Sequence, residues 1–289
     1  MKDFPIPVVA LGPGTQTEDE TLDYLPMPKD MNTYRPPVLP EPEDLLGLDQ
    51  ARAALEQVLV LLERGADGGA PGHVPLGRLS PKDFALVNQV LGEGEASAIV
   101  QLNEAGVEVR VQEAVFAGVW RLLTYRDGVL VDDAIEVGPV PALFAATAAE
   151  DVWPQGEAPM WKGALPPNVQ NAPMLIEEIR DQVVRWKPGQ VSHVVNLSLL
   201  PVTPEDIGFL DHHLGTGRVL MLSRGYGNCR ISNTRLRNCW RVVYYNSMDK
   251  VILNTVEVVD MPEVAMAAAE DLRDSFERLQ EVMAWLEAV

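Results

Sequence analysis

The sequence predicts an α+β protein of two tandem similar units, each an antiparallel β meander flanked by helices, related by pseudo-two-fold symmetry. The first observation behind this prediction is a set of short motifs that occur twice in the same order. The second is the pattern between them, in which a capped helix precedes several apolar, partly alternating stretches that are typical of strands. A repeat of roughly 120 residues is too long for a solenoid and indicates duplication of a whole domain.

The paired motifs define how the two units correspond. Ser-Pro-Lys-Asp at residues 80–83 returns as Thr-Pro-Glu-Asp at 203–206, and Leu-Gly-Glu-Gly at 91–94 returns as Leu-Gly-Thr-Gly at 214–217. A longer first hairpin around residues 103–106 accounts for the shorter spacing of the later pairs. These later pairs are Trp-Arg at 120–121 and 240–241, Glu-Val at 136–137 and 257–258, and Ala-Ala-Glu-Asp at 148–151 and 268–271. The shared positions are residues that specify a fold, which favours a scaffold or binding protein over an enzyme.

Local patterns place the elements within each unit. Ser80 and Thr203 are typical N-caps, because each precedes a proline at the first helical position and an aspartate that can complete a capping box. Helices are predicted over residues 49–64, 81–91, 173–187, 204–214 and 263–288. Strands are predicted over 73–76, 96–102, 107–116, 119–125 and 129–137, and over 193–197, 218–223, 229–236, 240–245 and 251–258.

The chain therefore divides into four segments. We expect an extended, proline-rich acidic arm over residues 1–48, the first α+β repeat over 49–151, a linker over 152–172, and the second repeat with the C-terminal helix over 173–289. The linker carries Trp153 and Trp161, and indole rings are costly to leave in water. We therefore expect it to pack against a unit.

Composition limits the classes of partner. The chain carries 23 Lys and Arg against 42 Asp and Glu, a formal net charge of −19. Such a chain repels phosphate backbones, so we expect no nucleic-acid partner. It has no apolar run long enough to span a bilayer, and its first residues do not resemble a signal peptide, so we expect a cytoplasmic protein without direct membrane insertion.

The candidate reactive residues do not form a recognisable site. His212 and His213 are neighbours on a predicted helix, so their side chains diverge and cannot readily share a metal. Cys229 and Cys239 lie on different predicted strands and are better interpreted as buried small hydrophobic residues. The glycine-rich segment at residues 11–14 lacks the Lys-Ser/Thr of a phosphate-binding loop. We therefore expect no catalytic residues, no bound metal and no cofactor.

Charge differs between the repeats in a way that suggests a binding surface. The stretch 218–241 has no acidic residue, whereas the matching stretch 95–121 has four glutamates and two arginines. The arginines of the second stretch are Arg218, Arg224, Arg230, Arg235, Arg237 and Arg241. In one interpretation the two sheets attract each other or the arginines are simply solvated. In the other, arginines bind partner carboxylates in bidentate pairs, and the candidate partner-binding residues are Arg224, Tyr226, Arg230, Arg235 and Arg237.

A further set of short motifs follows in order along the chain. They are Leu-Gly-Pro-Gly-Thr-Gln at residues 11–16, Leu-Gly-Glu-Gly-Glu at 91–95, Gln-Glu-Ala-Val-Phe-Ala-Gly-Val-Trp at 112–120, Gly-Tyr-Gly at 225–227, Pro-Glu-Val at 262–264 and Glu-Asp-Leu at 270–272. These motifs resemble those of the HupH/HyaF/HoxQ family of hydrogenase expression proteins, and the resemblance covers nearly the whole chain.

This resemblance implies an accessory factor for a membrane-bound nickel–iron uptake hydrogenase. It implies chaperone-like action on the iron–sulfur small subunit before export, with other maturation factors as further partners. The alternative is an enzyme or carrier that handles metal or iron–sulfur clusters during maturation. The sequence has no pair of Cys-x-x-Cys motifs, so it is not itself a rubredoxin.

Overall fold

The chain folds into one antiparallel sheet of ten strands with helices packed on it, in a computed structural model that describes residues 47–225 and 228–287. The predicted arm lies outside the described residues, except for its last two positions. The helices are α1 (Asp49–Ala66), α2 (Pro81–Leu91), α3 (Ala142–Glu150), α4 (Ala172–Arg185), α5 (Pro204–Leu214) and α6 (Ala269–Glu287). The strands are β1 (Gly72–Pro75), β2 (Ala96–Gln101), β3 (Val107–Glu113), β4 (Val119–Arg126), β5 (Val129–Val137), β6 (His193–Asn196), β7 (Val219–Ser223), β8 (Asn228–Asn233), β9 (Cys239–Tyr245) and β10 (Val251–Val258). The predicted α+β class is confirmed.

The order of strands is the same from either end of the sheet. It runs β1-β5-β4-β3-β2-β7-β8-β9-β10-β6, so β2 and β7 join the two halves edge to edge. At this junction Ala98 pairs with Met221, flanked by Ala96 with Ser223 and Val100 with Val219. Ala98 and Met221 hold matching positions in their halves, so a local two-fold axis normal to the sheet passes between them.

Most predicted elements have the expected bounds, and the differences have local causes. Helices α2 and α5 begin and end where the caps and glycine turns predict. Strands β3 and β8 end three residues before the predicted bound. The following residue in each case donates its N–H across the turn, from Ala114 to the Val119 oxygen (2.8 Å) and from Thr234 to the Cys239 oxygen (2.9 Å).

Two buried aspartates fix how the helices meet. The Asp83 carboxylate accepts the Ala51 N–H at 2.9 Å, and the Asp206 carboxylate accepts the N–H groups of three consecutive residues ending at Ala172, at 2.8 to 2.9 Å. The hydrogen bond from Ser80 lowers the pKa of Asp83. Burial alone would raise the pKa of Asp206, but its backbone donors outweigh this effect and lower it. Each aspartate thus joins the start of one helix to the start of another.

The helices cover one face of the sheet at its two ends. Helices α1, α2 and α6 pack over the β1–β5–β4 end, and α4 and α5 pack over the β9–β10–β6 end. The opposite face of the sheet is buried in its centre by α3 and the 3₁₀ turn Glu263–Ala265, around Trp120 and Trp240. Both tryptophans of the paired Trp-Arg motif are buried.

The C-terminal segment departs from the expected single helix over 263–288. The 3₁₀ turn ends at an extended Met266, and the Ala267 N–H donates to the Pro139 oxygen at 2.8 Å instead of continuing a helix. Helix α6 then crosses from the second half and packs on α1 of the first half, where Leu272, Leu279 and Met283 join the core.

The linker contacts the second half through one of its two tryptophans. Trp153 packs against Gly215, and the Arg235 guanidinium stacks over its ring at 5.0 Å. Trp161 is 42% exposed, so the linker packs through Trp153 and not through both indoles. The Trp161 Nε1–H lies 3.5 Å from the Ala164 oxygen, a local contact that does not bury the ring.

Candidate partner-binding surface

The structure separates the candidate arginines into two places. Arg224 follows directly on β7 and Arg230 lies in β8, and strand alternation places both side chains on the helix-bearing side of the sheet. Arg235 and Arg237 lie in the β8–β9 connection, at the opposite end of β8. Tyr226 lies outside the described residues.

Arg235 and Arg218 serve contacts between the halves. Besides its stack on Trp153, Arg235 donates from Nε to the Asp151 oxygen at 3.2 Å. Arg218 pairs with the buried Asp151 carboxylate at 2.5 Å and with Glu150 at 3.0 Å. These two arginines thus connect the second half to the end of α3 and to the linker.

Among residues 47–225 and 228–287, no helix covers the centre of the helix-bearing face. We call this patch the central strip. It consists of the outward side chains of β3, β2, β7 and β8, namely Arg110, Gln112, Ile99, Leu220, Leu222 and Arg230. The three apolar residues are only partly buried, and none belongs to the cores under the flanking helices or to the core on the opposite face. These apolar side chains are therefore partly exposed between the two groups of helices.

Two arginine–tyrosine stacks border the central strip. The Arg110 guanidinium lies 4.7 Å from the centre of the Tyr125 ring, and the Arg230 guanidinium lies 5.6 Å from that of Tyr245. These pairs hold matching positions in the two halves. Arg110 lies opposite Leu123 of β4, and Arg230 lies opposite Val243 at the same position of β9. Stacking holds a guanidinium plane in place while its N–H donors at the edge stay oriented.

On the opposite face of the sheet, matching positions carry different charges. Asp151 after α3 forms a hydrogen-bonded group with Arg218 and Asn233 of the second half. The matching positions hold Asp271 in α6, and Glu95 and Glu113 in the first half. Burial, and then the nearby charges of Glu95 and Asp271, raise the pKa of Glu113 to about 7, although the Gly118 N–H partly opposes this effect. Glu113 therefore titrates near neutral pH.

The candidate reactive residues are packed rather than grouped. His213 is a buried residue of α5, and its Nδ1 atom lies 2.8 Å from the Phe209 backbone oxygen. Its ring centre lies 5.1 Å from that of His212. Cys229 and Cys239 are buried as predicted, and burial raises the pKa of each thiol to about 12. Among the described residues, no group of three or more His, Cys, Asp or Glu side chains is placed to hold a metal ion. None of the helices in this part of the chain has the length and apolarity needed to cross a bilayer.

Sequence reasoning found Arg230 but not the surface to which it belongs. The central strip depends on the pairing of β2 with β7, which no local pattern predicts. A signal was nevertheless present, because Arg110 and Tyr125 recur as Arg230 and Tyr245 at the same spacing as the paired tryptophans. Shared surface residues, unlike shared caps, do not serve the fold alone.

Comparison with known proteins places the chain among proteins of hydrogenase expression. The family model described as "HupH hydrogenase expression protein, C-terminal conserved region" matches it twice, over residues 49–155 and 169–286. The chain belongs to the HupH hydrogenase expression protein family. The two matches coincide with the two halves of the sheet.

Individual relatives extend over the full chain. It is 52% identical to the hydrogenase expression/formation protein HoxQ of Cupriavidus necator, over 100% of both chains. It is 43% identical to HupH of Rhodobacter capsulatus, over 98% of both, and 32% identical to the hydrogenase-1 operon protein HyaF of Escherichia coli, over 96% of this chain and 95% of that one. A solved structure of HupH from Thiobacillus denitrificans is 26% identical, covers 39% of this chain and 95% of its own, and has a TM-score of 0.37.

Proposed function

We propose that this protein is a non-catalytic, chaperone-like accessory factor for the maturation of a membrane-bound nickel–iron uptake hydrogenase, acting in the cytoplasm on the iron–sulfur small subunit before export. The names of its relatives support a role in hydrogenase formation. The structural observation that carries the proposal is the central strip, where Ile99, Leu220 and Leu222 stay partly exposed in mid-sheet between arginines. An apolar patch with a polar border is the usual form of a protein-binding surface.

The arrangement of the halves suits this role. We infer that an internal duplication produced the two halves, since one family model matches each and their strands follow the same order. Their edge-to-edge pairing joins five strands of each half, so a partner can lie across a sheet twice as wide as that of one half. The net charge of −19 keeps the chain soluble and repels like-charged proteins. The few arginines of the strip therefore stand out as local sites for acidic groups, and other maturation factors are possible further partners.

Affinity capture tests the proposal directly. The tagged chain, expressed in hydrogenase-producing cells, should retain the small subunit, with and without its export signal, and mass spectrometry should identify it. A Leu222→Asp variant should retain less than half as much, because a carboxylate in the strip costs apolar contact. The matched control Val184→Asp changes an exposed apolar residue on α4, and should retain the subunit as the wild type does.

Two results would contradict this function. One is capture of no hydrogenase component at any salt concentration. The other is stoichiometric nickel or iron in the purified chain that is lost in Cys229→Ser or His213→Ala variants whose thermal unfolding is otherwise unchanged. The second result would favour the metal- or cluster-handling alternative.

A further inference from the structure

The central strip has the symmetry and the side chains to bind one particular kind of segment. Its two rows of side chains cross the strands in register, one through Arg110, Ile99 and Leu220 and the other through Leu222 and Arg230. The local two-fold axis exchanges the rows. The strip therefore presents an apolar middle with one arginine at each end.

The spacing of the arginines sets the length of the occupant. Arg110 on β3 and Arg230 on β8 are separated by three strand spacings, which is ~14 Å at the usual distance between strands. An extended chain covers that distance in about four residue steps, and because its side chains alternate, residues four apart lie on the same side of it. Two carboxylates placed that far apart could each meet an arginine while the residues between them contact Ile99 and Leu222.

The chemistry at each end favours a carboxylate. Each guanidinium is held over a tyrosine ring, so less freedom is lost when its edge donors bind an acceptor. Arg110 already donates from Nε to Glu108 at 2.7 Å, which shows the preference of this position for a carboxylate. Asn228 holds the position of Glu108 beside Arg230, so the described residues at the two ends of the strip are two arginines and one glutamate.

An extended occupant also fits the polar groups of the strip. The hydroxyls of Ser97 and Ser232 lie on the same face as Leu222 and Arg230, beside the apolar side chains. A hydroxyl can donate to or accept from the backbone of an extended peptide, whose amides are not paired internally. A helix would have no such need.

We propose that the central strip binds an extended segment of a partner polypeptide in which two carboxylate side chains flank about three apolar residues. This inference rests on the chaperone-like function proposed above and specifies the chemistry that its client would present. Because the local two-fold axis exchanges Arg110 and Arg230, such a segment binds in either chain direction. The protein would then select for the pattern of charge and apolarity rather than for one sequence.

A peptide titration with the full-length chain tests the proposal. The probe is a fluorescein-labelled peptide with two glutamates and three apolar residues between them, and binding is followed by fluorescence anisotropy. Arg110→Gln and Arg230→Gln should each weaken the Kd about tenfold, since each removes one charged contact. Arg78→Gln, at an exposed arginine between β1 and α2, is the matched control and should leave the Kd unchanged. A peptide with lysines in place of both glutamates should not bind.

Three results would overturn the proposal. The strip variants could bind the peptide as Arg78→Gln does, although their thermal midpoints match the wild type. The lysine peptide could bind as tightly as the glutamate peptide. The peptide could bind only after Glu41, Glu43 and Asp44 are changed to their amides, which would make the chain's own acidic arm the occupant. Capture of the small subunit is measured separately, so a chain that captures it but ignores the peptide refutes this inference alone.

Discussion

Ala98 and Met221 face each other across the junction of β2 and β7, 3% and 2% exposed, at matching positions of the two halves. Backbone hydrogen bonds continue the pairing at both ends of this junction. The Gln101 N–H donates to the Arg218 oxygen at 3.2 Å, and the Arg224 N–H donates to the Glu95 oxygen at 3.1 Å. By alternation, Ala98 and Met221 form a non-hydrogen-bonded pair, in which Cα atoms approach to about 4.5 Å. The two halves thus share one sheet rather than meeting through loops.

The two faces of β7 should differ sharply in their tolerance of charge. Met221→Asp places a carboxylate in the core under α3 and should lower the free energy of unfolding by about 3 kcal/mol or more. Leu222→Asp is its neighbour on the open central strip, next to Arg230, and should cost about 1 kcal/mol or less. Urea unfolding of both variants checks this, and equal losses would show that the wrong face has been assigned as open.

Asp206 should stabilise the second half at neutral pH through its charge. Asp206→Asn removes the carboxylate that accepts three backbone N–H groups, and should cost about 2 kcal/mol at pH 7. The pKa of Asp206 is lowered in the folded state, so its contribution is present above the unfolded pKa and is lost as the pH falls through the folded pKa. The difference between variant and wild type should therefore shrink below about pH 4. Glu205→Gln, at an exposed position in the same helical turn, is the control and should change little.

Glu113 should give the opposite dependence on pH. Its folded pKa of about 7 lies above the ordinary value of 4.5, so its contribution is fully present below pH 4.5 and is lost as the pH rises through 7. Glu113→Gln should therefore match the wild type at pH 4.5 and exceed it at pH 8 by on the order of 2 kcal/mol. Denaturant unfolding at both pH values measures this. A gain equal to that of the exposed Glu93→Gln at pH 8 would contradict the assignment.

Both thiols should be inert in the folded chain. Cys229 and Cys239 are buried and their pKa values are about 12, so almost no thiolate forms at pH 8. Reaction with an aromatic disulfide reagent should show two reactive thiols in denaturant and none within minutes in buffer. Rapid labelling of either native thiol would place it at the surface and reopen a redox or metal role.

Local patterns predicted the elements better than their assembly. The caps at Ser80 and Thr203 and the glycine turns defined α2 and α5, because these signals act within a few residues. The duplicated motifs predicted similar halves, but the sequence left open whether their sheets would pack face to face or side by side. The path of α6 was also not predicted, because the hydrogen bond from Ala267 to Pro139 that redirects it spans half of the chain. For the same reason Arg224 and Arg235, close in sequence, were grouped in one surface although the fold separates them.

Cross-linking at the centre of the sheet tests the shared-sheet arrangement most directly. In the double variant Ala98→Cys/Met221→Cys, the two Cβ atoms lie at the distance of a non-hydrogen-bonded pair, where a disulfide can form. We expect mild oxidation to give a monomeric chain with that one intramolecular bond, identified by peptide mapping, and a raised thermal midpoint. The same treatment of Ala98→Cys/Ile231→Cys, whose second cysteine lies one strand further away, should give no such bond. Failure of the first pair to close, or equal closure of both, would contradict the pairing of Ala98 with Met221.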